Sequence, residues 1–226
     1  MTDQYRFDFH IHSKYSLDSL LKPDTIIKRS MLKGLNAIAI TDHNTIQGSL
    51  IAKSIRQDSL LIVTGAEIAT DYGDLTGLFL NEEVHSRIFE EVIDEIKDQG
   101  GLVMLPHPCR RKRVPSLNDL AKIDIFEGIN ARNPELYDIQ AQKLSRKIKK
   151  PMIAGSDAHT ILEIGNAWTC IQNVENPDED ALRKKIMETG NHLFRVKSWQ
   201  THRINQIYSG IIKKIRKELK SRYSVP

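Results

Sequence analysis

The chain of 226 residues is poor in cysteine and has no long apolar run. Its two cysteines, Cys109 and Cys170, do not make a disulfide framework and lack metal-ligand spacing, which argues against a structural cysteine–zinc site. No stretch approaches the roughly 20 apolar residues of a membrane-spanning helix. A glycine-rich nucleotide loop, a Ser-His-Asp arrangement, low-complexity segments and solenoid-period repeats are all missing from the text. The first apolar run begins within a few residues of Met1, which leaves no room for a signal peptide and predicts a cytoplasmic protein.

What is present is ordinary in bulk and uneven in detail. Hydrophobic residues make up 40% and charged residues 27%, as in a globular domain with a full core. From Lys197 onward there are eight basic residues and one acid, Glu218. That segment carries +7 of a total of +4, so the rest of the chain is at −3 and mildly acidic.

Strand-like and helix-like patterns alternate. Strands are predicted over 5–12, 36–41, 60–64, 75–80, 102–105, 123–129, 151–155 and 167–171. Helices are predicted from Pro23 to Gly34, over 82–99 (with Val84, Ile88, Val92 and Ile96 at a four-residue period), over 134–149, and over 177–189 closed by Gly190. About seven β-α units in under 200 residues predict a small barrel of parallel strands inside a layer of helices, with its chemistry at the C-terminal strand ends. The chain divides at about residue 200. From His202 to Arg222, Ile204, Ile207, Ile211, Ile215 and Leu219 recur every three or four residues. This predicts a basic amphipathic helix, expected to pack its apolar face on the barrel and leave its polar face in solvent. Contact with nucleic acid, an anionic membrane surface or a second subunit are the alternatives.

The polar breaks in the apolar runs carry the chemistry. In Asp8-Phe9-His10-Ile11-His12-Ser13, alternation puts Asp8, His10 and His12 on one face, and two adjacent imidazoles suit a divalent metal. Asp42-His43, Glu67, His107 and Asp157-x-His159 each follow another run. Such a mixed His/Asp/Glu set suits zinc, manganese or iron better than calcium. Clustered cations can clamp a phosphate and acidify water for in-line attack. Asp42, beside His43, is a candidate to orient a ligand or handle a proton; its other reading is a turn carboxylate. Arg110 and Arg111 open a basic loop directly after His107-Pro108-Cys109, placed to bind phosphate oxygens. His85, His192 and His202 lack partner spacing and are read as structural.

Together these blocks resemble the PHP (polymerase and histidinol phosphatase) domain family across roughly residues 5 to 200. The match rests on 8–13, on Ile40-Thr41-Asp42-His43, on the histidine of Leu105-Pro106-His107-Pro108, and on Gly155-Ser156-Asp157-Ala158-His159, in the family's order. The resemblance implies a distorted (β/α)7 barrel with two or three metals and hydrolysis of phosphate esters. It implies that His10, His12, Glu67 and Asp157 hold a first metal, that Glu67 bridges to a second with His107, and that Asp18, His43 and His159 hold a third. Asp74 stands where the family often carries histidine, and a carboxylate there would replace the imidazole. Asn130 and Arg132, in a Glu-x-x-Asn-x-Arg segment, are implied to face substrate. The expected substrate is a small phosphomonoester or nucleotide. The alternatives are end-trimming of short 5′-phosphorylated nucleic acid, histidinol phosphate, and a non-catalytic binding module; oligomeric state stays open.

Overall fold

The computed structural model describes residues 4–57, 59–110, 115–172, 178–188, 192–196 and 199–223. Its elements are β1 (Gln4–Ile11), α1 (Pro23–Leu32), β2 (Ala37–His43), α2 (Gln47–Ser54), β3 (Leu61–Thr70), β4 (Gly73–Leu78), α3 (Phe89–Asp98), β5 (Leu102–Leu105), α4 (Leu117–Lys122), β6 (Ile125–Asn130), α5 (Glu135–Ile148), β7 (Met152–Gly155), β8 (Ala167–Gln172), α6 (Glu179–Ile186), β9 (His192–Arg195) and α7 (Trp199–Tyr223).

The strands form one sheet in the order β7-β6-β5-β4-β3-β2-β1-β8-β9. It curls into a nearly closed barrel, the expected architecture. The parallel arms β1-β2-β3 and β5-β6-β7 match the β-α reading. Between them the repeat gives way to antiparallel pairing: β4 folds back on β3 and then runs against β5. The β3–β4 turn passes through Gly73 at φ +108°, a conformation that favours glycine. β8 lies antiparallel on β1, and β9, which follows α6 in the chain, pairs antiparallel with the outer edge of β8. Closure comes from beyond β7, where a parallel bridge joins Ala158 to Ile11. The amide of His12 donates to the Ala158 carbonyl at 2.8 Å, and the amide of Ala158 to that of His10 at 3.3 Å. A Cβ at Gly155 would stand 2.4 Å from that of His10, so glycine is required for β7 to come this close to β1.

One buried cluster takes a side chain from each of eight strands: Phe7, Ala37, Val63, Leu78, Met104, Ile125, Ile153 and Ile171. Leu182 and Ile186 of α6 pack into it. Ile11, Ile38, Ile40 and Ile62 pack instead with Ile26 and Ile27 of α1 and Ala52 of α2. An irregularity in β1 between Asp8 and Ile11 breaks simple alternation along that strand. Fully burying each isoleucine contributes roughly 1.5–3 kcal/mol.

Local signals set most boundaries. Pro23 opens α1, and Gly34 at φ +68° follows its end. Helix α4, which periodicity does not flag, is fixed by a Ser116/Asp119 capping box. The predicted helix 82–99 is shorter than expected. It begins at Phe89, whose amide is bonded by Asp71 Oδ1, and buries Phe89, Val92, Ile93 and Ile96; Ile88 is exposed. Tertiary hydrogen bonds end the helix where periodicity alone would extend it. The expected closure of α6 at Gly190 lies outside the described residues.

The C-terminal helix reverses its expected orientation. Ile204, Ile207, Ile211, Ile215 and Leu219 are exposed, whereas Ser209 is buried against the barrel. Polar bonds rather than apolar packing hold it there: Gln206 Nε2 donates to the Arg132 carbonyl, and Arg216 Nη1 to the carbonyls of Lys14, Ser16 and Ser19.

Candidate metal centre

The predicted ligands converge at the C-terminal ends of the barrel strands. His10 lies in β1 and His12 just past it; Asp18 is in the following loop; His43 ends β2 and Glu67 is in β3. Asp74 stands opposite Ala69 in the β3–β4 hairpin. His107 follows β5, and Asp157 and His159 follow β7. His107 (φ +30°) and Asp157 (φ +52°) adopt the left-handed region, where strained backbone often marks a site. Potential ligand atoms group as His12/Asp18/His43/His159, His10/His12/Glu67, His10/His107/Asp157 and Glu67/Asp74/His107, each group within 4.8 Å.

The hydrogen bonds behind the histidines decide what their inner nitrogens can do. His10 Nδ1 lies 2.9 Å from Glu127 Oε1, which only accepts. His12 Nδ1 lies 3.0 Å from Ser16 Oγ, and that hydroxyl gives its own proton to Asp42 Oδ1 at 2.8 Å. Both Nδ1 atoms are therefore donors. The two Nε2 atoms stand 3.1 Å apart and need a shared proton or a shared cation between them. Glu67 Oε2 is 3.5 and 3.4 Å from these nitrogens, and Asp157 Oδ1 is 3.8 and 3.5 Å from them. Tetrahedral bonds of about 2.1 Å place donors about 3.4 Å apart, so the two imidazoles and Glu67 fit one divalent ion, with Asp157 beside both nitrogens. Glu67 Oε1 meets His107 Nε2 at 2.8 Å on a second side. Asp18 meets His43 Nε2 at 3.2 Å and His159 Nε2 at 3.4 Å on a third.

Burial opposes charge throughout the cluster, and the outcome depends on neighbours. Burial works to raise Glu67 and Asp157, but His10 and adjacent cations hold both carboxyls well below the usual range. Asp18 is held below it by His159 and His43, again against burial. Burial, aided by His159 and His43, pushes His12 down to about 3, which keeps its imidazole neutral. Against burial, Asp18 and Glu67 raise His43 to about 9; Glu127, Asp157 and Glu67 raise His10 well above its ordinary value. The carboxylates thus gather negative charge that protons or cations must balance.

The remaining predicted residues surround this cluster. Arg110 donates from Nη1 to Asp157 Oδ2 (3.0 Å), from Nη2 to Asn130 Oδ1 (2.9 Å) and from Nε to Asn133 Oδ1 (3.0 Å). Asn130 Nδ2 reaches Glu127 and Asp157. Buried Arg132 lies 3.8 Å from Asp157 Oδ1 and 3.4 Å from Glu163 Oε1 and donates to Ser209 of α7. Arg111 lies outside the described residues. Asp42 is fully buried and accepts from the Ser13 and Ser16 amides and hydroxyls; its link to the cluster runs through Ser16 to His12.

Three residues escape the sequence reading. Glu127 bonds His10 Nδ1, the His107 amide (2.6 Å) and Asn130. Its signal was the Glu-x-x-Asn-x-Arg segment, but strict alternation separates residues 127 and 130. A register irregularity between Glu127 and Ile129 lets both serve the site. Glu163 accepts the His159 and Thr160 amides. Lys213 of α7 lies 3.1 Å from Asp18 Oδ2; no sequence signal places it there.

A barrel whose strand ends gather this donor set is a metal-dependent hydrolase of the phosphoesterase kind. The sequence profile of the PHP domain matches residues 8–132, and that of a PHP-associated segment matches 139–189. The chain belongs to the PHP domain family. It is 42% identical over 159 residues to MJ1587 of Methanocaldococcus jannaschii, covering 62% of this chain and 92% of that protein. Its fold is similar to a two-domain Bacteroides vulgatus protein containing a predicted PHP-like metal-dependent phosphoesterase (TM-score 0.69, 19% identity, 86% of this chain and 65% of that one). It is similar also to the lesion-specific endonuclease PfuEndoQ of Pyrococcus furiosus (TM-score 0.63, 19% identity, 84% and 58%). The chain therefore spans under two thirds of either solved protein. Among the described residues, no helix is long and apolar enough to cross a membrane.

Proposed function

We propose that this chain hydrolyses small phosphomonoesters, nucleotides among them, with two or three divalent ions of zinc, manganese or iron. The observation that carries the reading is the pair of Nε2 atoms 3.1 Å apart, ringed by Glu67 and Asp157. His10, His12, Glu67 and Asp157 would hold one ion, Glu67, His107 and Asp74 a second, and Asp18, His43 and His159 a third. Such ions supply Lewis acidity toward phosphoryl oxygens and lower the pKa of water. The chain's own work is positioning. Glu127 and the Asp42–Ser16 pair fix the tautomers of His10 and His12. Arg110 and Arg132 hold cationic charge beside Asp157, where a phosphate enters.

Elemental analysis paired with a phosphate-release screen tests this. Two or three metals per chain, and release abolished by chelation and by Asp157→Ala, are the expected results. A metal-free protein that releases nothing after manganese, zinc or iron is added refutes it. A second reading, end-trimming of short nucleic acid, draws on the basic residues of α7 beside the mouth and on the endonuclease fold similarity. Mononucleotide release from a 5′-phosphorylated trinucleotide supports it; cleavage of monoesters alone counts against it.

A further inference from the structure

Helix α7 lies outside both matched segments, yet it reaches the cluster. Lys213 Nζ is 3.1 Å from Asp18 Oδ2, and Asp18 also meets His43 and His159. Arg216 of the same helix ties down the loop that carries Asp18 through three carbonyls. Ser209 takes a hydrogen bond from Arg132. An ammonium has three donors, and Asp18 engages one of them. His159 also lines a pocket of about 370 Å³. Tyr208 and Asn205 of α7 line it together with Leu20, Ile161 and Leu162. These apolar side chains are part-exposed, although each lines a cavity that adjoins a ligand histidine.

We propose that α7 is the substrate-selecting wall of the site. Lys213 binds a phosphoryl oxygen of the ester, and the Tyr208/Asn205 pocket takes an apolar, ring-sized group on its alcohol side. A wall joined to the barrel by directional polar bonds sets both positions at once, because Lys213 and Tyr208 lie five residues apart on one helix. Leu20, Leu21, Ile161 and Leu162 supply the apolar half of the lining, and the Asn205 amide with the Thr160 and Tyr208 hydroxyls supplies polar groups, which suits a ring bearing a hydrogen-bonding edge. This inference rests on the hydrolytic reading above.

The test uses the full chain loaded with manganese. Ethyl phosphate and 2-phenylethyl phosphate have leaving alcohols of similar acidity and differ in the ring. The wild type should show a KM about tenfold lower for the phenylethyl ester, the scale of one aromatic stacking contact. Tyr208→Ala should bring the ratio of the two KM values close to one. Lys213→Met should weaken binding of inorganic phosphate about tenfold by calorimetry at unchanged metal content, and Lys213→Arg should recover most of it. Equal KM values in the wild type, or a preference that survives Tyr208→Ala, overturn the pocket assignment. Unchanged phosphate affinity in Lys213→Met overturns the lysine's. Absence of release from either ester overturns the hydrolytic reading and the pocket with it, while phosphate calorimetry still decides Lys213.

Discussion

Glu127→Gln isolates how the protein prepares its first ligand. The carboxylate is buried and accepts from three donors: His10 Nδ1 on one oxygen, and the His107 amide and Asn130 Nδ2 on the other. Glutamine keeps the shape but has a single acceptor oxygen. If that oxygen faces His10, the amide nitrogen opposes two donors, and each unmet buried donor costs about 1–3 kcal/mol. If it faces His107 and Asn130 instead, two bonds survive, and the amide nitrogen must donate to His10 Nδ1. His10 then keeps its proton on Nε2, which cannot ligate. The second arrangement retains more bonds, so folding persists and metal binding suffers. Removing such a partner of a ligand histidine typically lowers metal affinity 10- to 100-fold, or about 1.4–2.7 kcal/mol. Titrating manganese or zinc into stripped protein against a competing chelating dye reads the loss; circular dichroism confirms the fold. An affinity within twofold of the wild type refutes the tautomer argument.

Other outcomes follow from the same contacts. Asp42→Asn leaves one amide nitrogen facing the Ser13 or Ser16 donors and should cost about 1–3 kcal/mol in urea denaturation; unchanged stability would remove Asp42 as the anchor of the 13–16 loop. Saturating metal at about 100 times its Kd should add about 2.7 kcal/mol and raise Tm by roughly 5–10 °C; no shift with manganese, zinc or iron speaks against the site. Burial pushes Asp8 up to about 6, from an ordinary value near 3.9. A raised carboxyl contributes stability that is complete below about pH 4 and lost as pH rises through 6. The stability of metal-free wild type relative to Asp8→Asn should thus fall between pH 4 and 7, by about 3 kcal/mol at most; a flat difference in urea melts contradicts the assignment.

Much of this site is legible in the sequence because each ligand is a polar break in or just after an apolar strand. His12, His43, His107, Asp157 and His159 lie at or past strand ends, His10 and Glu67 lie one and three residues inside theirs, and the family's motif order fixes the set. Glu127 is harder to read, since a one-residue irregularity in β6 defeats the period-two rule. Antiparallel β4 reads as one more strand, because periodicity does not report direction. The α7 stripe is found correctly and turned the wrong way. An amphipathic pattern predicts that the apolar face is buried, and here arginine, lysine and glutamine side chains reach backbone carbonyls and Asp18 instead.

The closing bridge at Ala158 has a further consequence, in chain topology. Below it β1 is hydrogen-bonded to β8, so the seam between the first and last arms of the barrel is shut by Ile11 and Ala158 at the catalytic end. The donors straddle that seam: His10 and His12 come from one bank, Asp157 and His159 from the other. An ion held by His10, His12 and Asp157 would be a reversible cross-link between positions some 145 residues apart in the chain. Unlike a disulfide, such a link is absent from the unfolded chain, so it stabilises the closed barrel by mass action, in step with the logarithm of free metal. In a chain so poor in cysteine, metal supply would then set how tightly the barrel stays shut, before any substrate arrives.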